Sequence, residues 1–296
     1  MATVVGGPLI VIAGPTASGK TDLAIQVAEQ HKGEIICADS RTVYRGMDVG
    51  TAKPTAEEQA RVPHWGLDLV NPGERFTVAD FKVYAEQKIR EIRNRGHVPF
   101  LVGGTGLYID AVVFSFQFAP APDESFRQQL DAMSVEALQQ YCKENNIFLP
   151  ENTNNKRHLV RTIERNNISG IRRSVPIDNS HIVGITTDKQ TLRTRIEHRS
   201  EQFFLHNVVK EATLLGETYG WDSEAMTGNI YPLVRRFIDG QIGESELREQ
   251  FAVSDWRLAK RQMTWLRRNP HILWATRQSA EHYLLSRLAD IKTVLQ

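Results

Sequence analysis

The chain is short of cysteine. Only Cys37 and Cys142 occur in 296 residues. That is too few for a metal-ligand cluster or a disulfide framework, and it points to a reduced, cytoplasmic setting. Long apolar runs are lacking as well: no stretch approaches the roughly 20 residues that a membrane span needs. The segment Met1–Pro8 is too short and too uncharged to read as a secretory leader. Charge imbalance is the third absence. With 36 Lys and Arg against 35 Asp and Glu, the formal net charge is +1, which selects no partner by itself. What remains is ordinary globular composition, 41% hydrophobic and 24% charged, enough for one large domain or two smaller ones.

Against these absences stands one loop. Gly14-Pro15-Thr16-Ala17-Ser18-Gly19-Lys20-Thr21 follows the apolar run Leu9-Ile10-Val11-Ile12-Ala13. The pattern G-x-x-x-x-G-K-[ST] thus sits between a short buried strand and a helix, the setting it requires. Backbone N–H groups of such a loop, with the helix N-terminus behind them, converge on phosphate oxygens. Lys20 adds a point charge, and the Thr21 hydroxyl is placed to hold Mg²⁺. The chain is therefore expected to handle a di- or triphosphate.

Residues 1–118 alternate strand and helix. Strands are expected at 8–13, 34–38, around 67–70 and at 98–102, with a long helix from Thr77 to Arg95 burying Val78, Phe81, Ala85, Ile89 and Ile92. Such alternation predicts an α/β fold, a P-loop NTPase-like parallel sheet flanked by helices. Ala119-Pro120-Ala121-Pro122 marks a boundary. Beyond it the texture changes to short helices at about 123–132, 134–145 and 154–167, and the strand 181–186 then returns to core character. Residues 120–178 read as a helical insertion domain. Residues 1–119 and 179–296 form the α/β core with a helical C-terminal region. Cys37 ends a strand and reads as a small core residue. Two basic clusters lie outside the loop region. Lys156, Arg157, Arg161, Arg165, Arg172 and Arg173 form the first, and Arg157, Arg161 and Arg165 share one helix face. Arg257, Lys260, Arg261, Arg267, Arg268 and Arg277 form the second. Either alone reads equally as a solvated face, but two with interleaved aromatics favour a polyanion.

Three segments follow strand C-termini and are expected to meet at one crevice: the P-loop, Asp39-Ser40-Arg41-Thr42-Val43-Tyr44-Arg45, and Gly103-Gly104-Thr105-Gly106-Leu107-Tyr108. Asp39 at a strand tip suits a general base or a metal ligand, with turn capping as the alternative. A P-loop ATPase wants a second acidic residue after a strand, yet the strand at 98–102 ends in Gly-Gly-Thr. A small-molecule or nucleotide kinase with Asp39 as base stays open as the alternative.

These residues resemble the tRNA dimethylallyltransferases. The likeness is carried by Gly14–Thr21, Asp39-Ser40-Arg41-x-Val43-Tyr44-Arg45, Gly50-Thr51-Ala52-Lys53-Pro54, Pro63-His64, Phe76-x-x-x-Asp80-Phe81 and Gly103–Tyr108. It continues in Asn154-Asn155-Lys156-Arg157-x-x-x-Arg161-x-x-Glu164 and Ala259-Lys260-Arg261-Gln262-x-Thr264-Trp265-x-Arg267. The resemblance implies transfer of the dimethylallyl group of dimethylallyl diphosphate to N6 of the adenine 3′ of the tRNA anticodon, with release of diphosphate. It makes Gly14–Thr21 a diphosphate site with Mg²⁺, Asp39 the general base, and Thr105 a second contact to the adenine. Residues Asp39, Ser40, Arg41 and Thr42, with Arg157 and Arg161, become contacts to the anticodon stem-loop. A monomer without membrane contact is expected, in the cytoplasmic setting that the cysteine content suggests.

The chemistry agrees. An allylic diphosphate leaves when its charge is neutralised, a task for loop amides, Lys20 and Mg²⁺. An adenine N6 amine is a poor nucleophile until a carboxylate accepts its proton, and the base must leave its stack to be reached. Tyr44, Trp65 and Phe76 are candidates for stacking on it, with core packing as the alternative. Some positions depart from the family pattern. Thr42 stands where Gln is usual, Trp65 where His is, and His158 where Arg is. Of the usual Ile-Gly-Tyr-Lys-Glu segment, only Tyr231 stands out in Asn229–Leu233. Those departures leave a tRNA-binding protein without catalysis as a third possibility.

Overall fold

The computed structural model describes residues 7–118, 124–165, 171–228 and 230–294. The expected boundary at 119–122 and Asn229 lie outside the described residues. In chain order the elements begin β1 (Leu9–Ala13), α1 (Lys20–Gln30), β2 (Gly33–Cys37), α2 (Ala56–Arg61), β3 (His64–Trp65), α3 (Val78–Asn94), β4 (Val98–Gly103) and α4 (Gly106–Val113). Next come α5 (Glu124–Ala132), α6 (Val135–Glu144) and α7 (Lys156–Arg165). The chain closes with β5 (Ser180–Ile185), α8 (Lys189–Leu205), α9 (Val208–Tyr219), α10 (Tyr231–Ile238), α11 (Glu244–Leu266), β6 (Leu273–Ala275) and α12 (Arg277–Val294). Two compact units result, one of Met1–Phe114 with Val175–Gln296, the other of Ser115–Ser174.

In the larger unit six parallel strands form one sheet in the order β3-β2-β4-β1-β5-β6. β1 and β2 are buried along their whole length, as strands covered on both faces must be, which explains their unbroken apolar runs. The exception is Glu34 of β2. Burial alone would raise its carboxyl, but donation from Arg95, Trp65 and His97 outweighs this and holds it below the usual range. Trp65 is therefore committed to Glu34 at 2.7 Å, with the Lys88 ammonium over its ring.

One strand is not where the sequence suggested. The strand expected around 67–70 falls at His64–Trp65 instead. Gly66 at φ +85° turns the chain away from the sheet, and a Cβ there would meet the Cys37 carbonyl at 3.0 Å. Residues 68–70 then pair with the Thr42 and Val43 carbonyls rather than with the sheet.

α3 begins at a capping box in which Thr77 and Asp80 satisfy each other's backbone N–H groups. It buries Phe81, Ala85, Ile89 and Ile92, while Val78 is only half-buried. The sheet, α1 and α12 share one core, and Cys37 sits in it with its thiol pushed up to about 12 by burial. A second core joins Val43, Tyr44 and Met47 to Phe203, Val208, Ala212, Tyr231 and Phe251. Tyr44 is buried there, and Phe76 packs against the same cluster, so for these two core packing is what the structure shows, while Trp65 is taken up by Glu34 and Lys88.

In the smaller unit α5, α6 and α7 enclose Leu130, Leu138, Cys142, Leu159, Val160 and Ile163. Arg127 pairs with Glu164 at 2.6 Å across this core. Among the described residues no helix is long and apolar enough to cross a membrane.

Candidate active site

The parallel register brings the ends of β1, β2 and β4 together. Ala13 lies beside Gly103, and the Gly14 N–H donates to the Gly103 carbonyl at 3.3 Å. The chain beyond β2 is tied to that beyond β4 by Ala38 N–H to Val102 O at 2.7 Å and Thr105 N–H to Ala38 O at 3.2 Å. The Thr105 hydroxyl precedes α4 but makes no cap to it. It accepts instead from Ser40 N–H at 3.1 Å. One Asp39 oxygen accepts from Arg41 N–H at 2.8 Å, a local turn of the kind Asp favours. This bond fixes the carboxylate on the half-buried rim of the crevice. Asp39, Ser40, Thr105 and the P-loop are thus neighbours.

Within the loop, Gly14, Pro15, Thr16 and Ser18 are buried, while Ala17, Gly19, Lys20 and Thr21 are half-buried. Gly19 precedes α1 and gives it no side-chain cap, so the first-turn amides keep their donor character. Lys20 Nζ donates to the Pro15 carbonyl at 3.3 Å. Desolvation lowers its ammonium below the ordinary lysine value, against which the Asp39 carboxylate pulls it up. The Ser18 hydroxyl oxygen is buried with no hydrogen-bond partner among the described residues. Among the described residues no three His, Cys, Asp or Glu side chains gather as a metal site. A metal here would need a hard ion that keeps waters and takes most ligands from a phosphate, which suits Mg²⁺ with a single protein hydroxyl.

Several residues close the site that sequence reasoning gave no role. Gln262 of α11 accepts from Thr16 N–H at 2.8 Å, and a Cβ on Gly104 would collide with its Nε2. Trp265, one turn on, leaves no room for a Cβ on Gly106 and donates from Nε1 to Asp110 at 2.8 Å. Arg195 of α8 donates to the Ser18 carbonyl at 3.2 Å. Gln262 and Trp265 lie inside one of the matched motifs, but nothing local shows that Gln262 meets the P-loop 246 positions away or that Trp265 meets Asp110 155 positions away.

Two candidates are engaged inside the protein. The Arg41 guanidinium donates to the carbonyls of Glu224 and Ala225 at 2.8 and 3.1 Å and to the Thr227 hydroxyl at 3.2 Å. Thr42 is buried, its hydroxyl 3.5 Å from the Asp39 carbonyl. Arg157 and Arg161 belong to the smaller unit. Arg157 is exposed, and Arg161 reaches Glu164 at 3.4 Å.

Comparison with known proteins identifies the family. The family described as IPP transferase matches residues 42–269, and that described as isopentenyl transferase matches residues 7–66. A tRNA dimethylallyltransferase of Anoxybacillus flavithermus is 35% identical over 280 residues, 91% of this chain and 90% of that protein. One of a Roseiflexus species is 39% identical over 282 residues, covering 90% and 92%. The crystal structure of the full-length tRNA isopentenylpyrophosphate transferase of Bacillus halodurans superposes with a TM-score of 0.74 at 32% identity, covering 97% of this chain and 98% of that one. None of these relatives favours the kinase alternative. Likeness at this level, over nearly the whole chain, places the protein in the tRNA dimethylallyltransferase family.

Proposed function

We propose that the enzyme transfers the dimethylallyl group of dimethylallyl diphosphate to N6 of the adenine 3′ of the anticodon in tRNA, releasing diphosphate. The observation that carries this reading is the seam of hydrogen bonds that sets the Asp39 carboxylate and the Thr105 hydroxyl beside the P-loop. A proton acceptor and a diphosphate cradle then face one crevice.

Residues Gly14 to Thr21 bind the diphosphate through loop amides, with Lys20 as a fixed charge. The Thr21 hydroxyl would hold Mg²⁺, which when bound would supply neutralisation of the charge on the leaving diphosphate. Asp39 accepts the N6 proton as the N6–C1 bond forms and the C1–O bond breaks. The electron pair of that bond leaves with the diphosphate oxygen. Thr105 orients the adenine.

The tRNA contacts in this account are Asp39, Ser40, Arg41 and Thr42 on one unit and Arg157 and Arg161 on the other. Arg41 and Thr42 contribute through their backbone, because their side chains are engaged within the protein. The enzyme acts as a monomer in the cytoplasm. Incubation with labelled donor, Mg²⁺ and tRNAs reading codons that begin with U tests the proposal. Label at the adenine 3′ of the anticodon is expected. RNA that stays unlabelled, or phosphoryl transfer from ATP without RNA, refutes it.

A further inference from the structure

Lys53 carries its charge into the interior, with only 3% of its side chain exposed. A buried ammonium persists where it is paired and hydrogen-bonded. Here Nζ meets three acceptors: the Asp48 carboxylate at 2.5 Å, the Asp68 carboxylate at 2.7 Å and the Tyr44 carbonyl at 3.0 Å. Three N–H donors thus find three partners. The partners belong to chain outside the helices and to no strand of the sheet, so this ammonium is a knot between loops.

One of those loops carries Asp39. The Asp68 N–H donates to the Thr42 carbonyl at 3.3 Å, and the Leu69 and Val70 N–H groups donate to the Val43 carbonyl at 2.7 and 3.1 Å. With the bond from Lys53, the carbonyls of Thr42, Val43 and Tyr44 are all fastened to Lys53 and residues 68–70. The Tyr44 N–H in turn donates to the Arg41 carbonyl at 3.2 Å, and the Arg41 N–H to the Asp39 carboxylate at 2.8 Å. A continuous run of hydrogen bonds leads from Lys53 to Asp39. Asp68 holds its place at φ +53°, a left-handed conformation that persists where its surroundings over-determine it.

The turn before Lys53 is fixed from the other side. Glu211 of α9 accepts from the N–H groups of Asp48 and Val49 at 2.9 and 2.7 Å on one oxygen. Its other oxygen accepts from Gly50 N–H and the Tyr231 hydroxyl, both at 2.9 Å. A Cβ on Gly50 would stand 2.6 Å from that hydroxyl, so the turn has little room to shift.

We propose that Lys53 and Asp68 are positioning residues for the Asp39 carboxylate. The proposal rests on the reading of Asp39 as the base under Proposed function. Lys53 is too buried to meet donor or adenine and gives up no proton. It fixes where the carboxylate stands when the N6 proton transfers. A misplacement of about 1 Å at such a group is worth roughly 100-fold in rate.

The test uses the full chain: single-turnover transfer at saturating tRNA, with donor affinity measured in parallel and folding checked by thermal unfolding. Lys53→Met keeps the stem and removes the charge. Transfer slowed roughly 10- to 100-fold is expected, with donor affinity within about two-fold of wild type. Lys53→Arg keeps the charge on a different fork and recovers part of the rate. Asp68→Asn, whose new side chain also accepts the left-handed backbone, is expected to slow transfer roughly 3- to 10-fold. It decides the matter if Lys53→Met leaves Asp48 and Asp68 unpaired and does not fold. The arm that separates positioning from mere stability is the Asp39→Ala background. There Asp68→Asn should slow transfer by less than about two-fold, because the group it positions is gone. The proposal is overturned if Asp68→Asn transfers at the wild-type rate, or if it slows both backgrounds by the same factor. Wild-type transfer by Asp39→Ala alone overturns the reading of Asp39 as base, and this proposal with it.

Discussion

At the scale of single residues the chemistry depends on a few charges held in unusual settings. Desolvation lowers the Lys20 ammonium in the unliganded enzyme, while a bound diphosphate raises it again. Donor binding therefore favours the protonated form. Its strength holds at lower pH and falls as pH rises through the lowered value, short of the ordinary lysine pKa of about 10.4. A pH profile of kcat/KM for the donor should show this alkaline limb, and Lys20→Arg, which stays charged, should move it to higher pH. Thr105→Val leaves the Ser40 N–H without its partner. A loss of about 1–3 kcal/mol in stability is expected in urea titration, with slower transfer. Asp39 and the P-loop are legible in the sequence because each is local, a strand tip or an eight-residue pattern. Gln262, Arg195 and Glu211 are not, because each acts on backbone groups more than 150 residues away, as with Gln262 on Thr16 and Glu211 on Gly50.

At the scale of elements, packing periodicity was the readable signal. α3 shows its apolar face at helical spacing, and Phe81 of that face stacks on Tyr108 of α4 with ring centroids 4.2 Å apart. Phe81→Ala is expected to cost about 3–5 kcal/mol, read from chemical denaturation. Because α4 begins beside Thr105, donor turnover should fall with it. Gly106→Ala should displace Trp265, which occupies the space a Cβ needs, at a cost of roughly 1–3 kcal/mol and with a change in tryptophan fluorescence. β3 was misplaced because Gly66 and Asp68 adopt left-handed backbone angles, and a turn of that kind leaves little trace in hydrophobic pattern. The stacking aromatics were ambiguous for a related reason: burial of Tyr44 and the Trp65 bond to Glu34 depend on neighbours far along the chain.

At the scale of the whole molecule, near-zero net charge hides an uneven distribution. The smaller unit carries Arg157 exposed on α7 and Arg161 near it, both proposed above as contacts to RNA phosphates. Affinity for tRNA should then fall with salt, and Arg157→Ala should reduce the slope of log affinity against log salt by about one while leaving diphosphate affinity unchanged. The central claim is that one crevice on the larger unit serves both the leaving diphosphate and the proton of the attacking amine. Single-turnover transfer by wild type and Asp39→Ala, with donor binding measured in parallel, tests it most directly. Donor affinity within about two-fold of wild type is expected, with transfer slowed roughly 10²- to 10⁴-fold. Transfer at the wild-type rate by Asp39→Ala would contradict it.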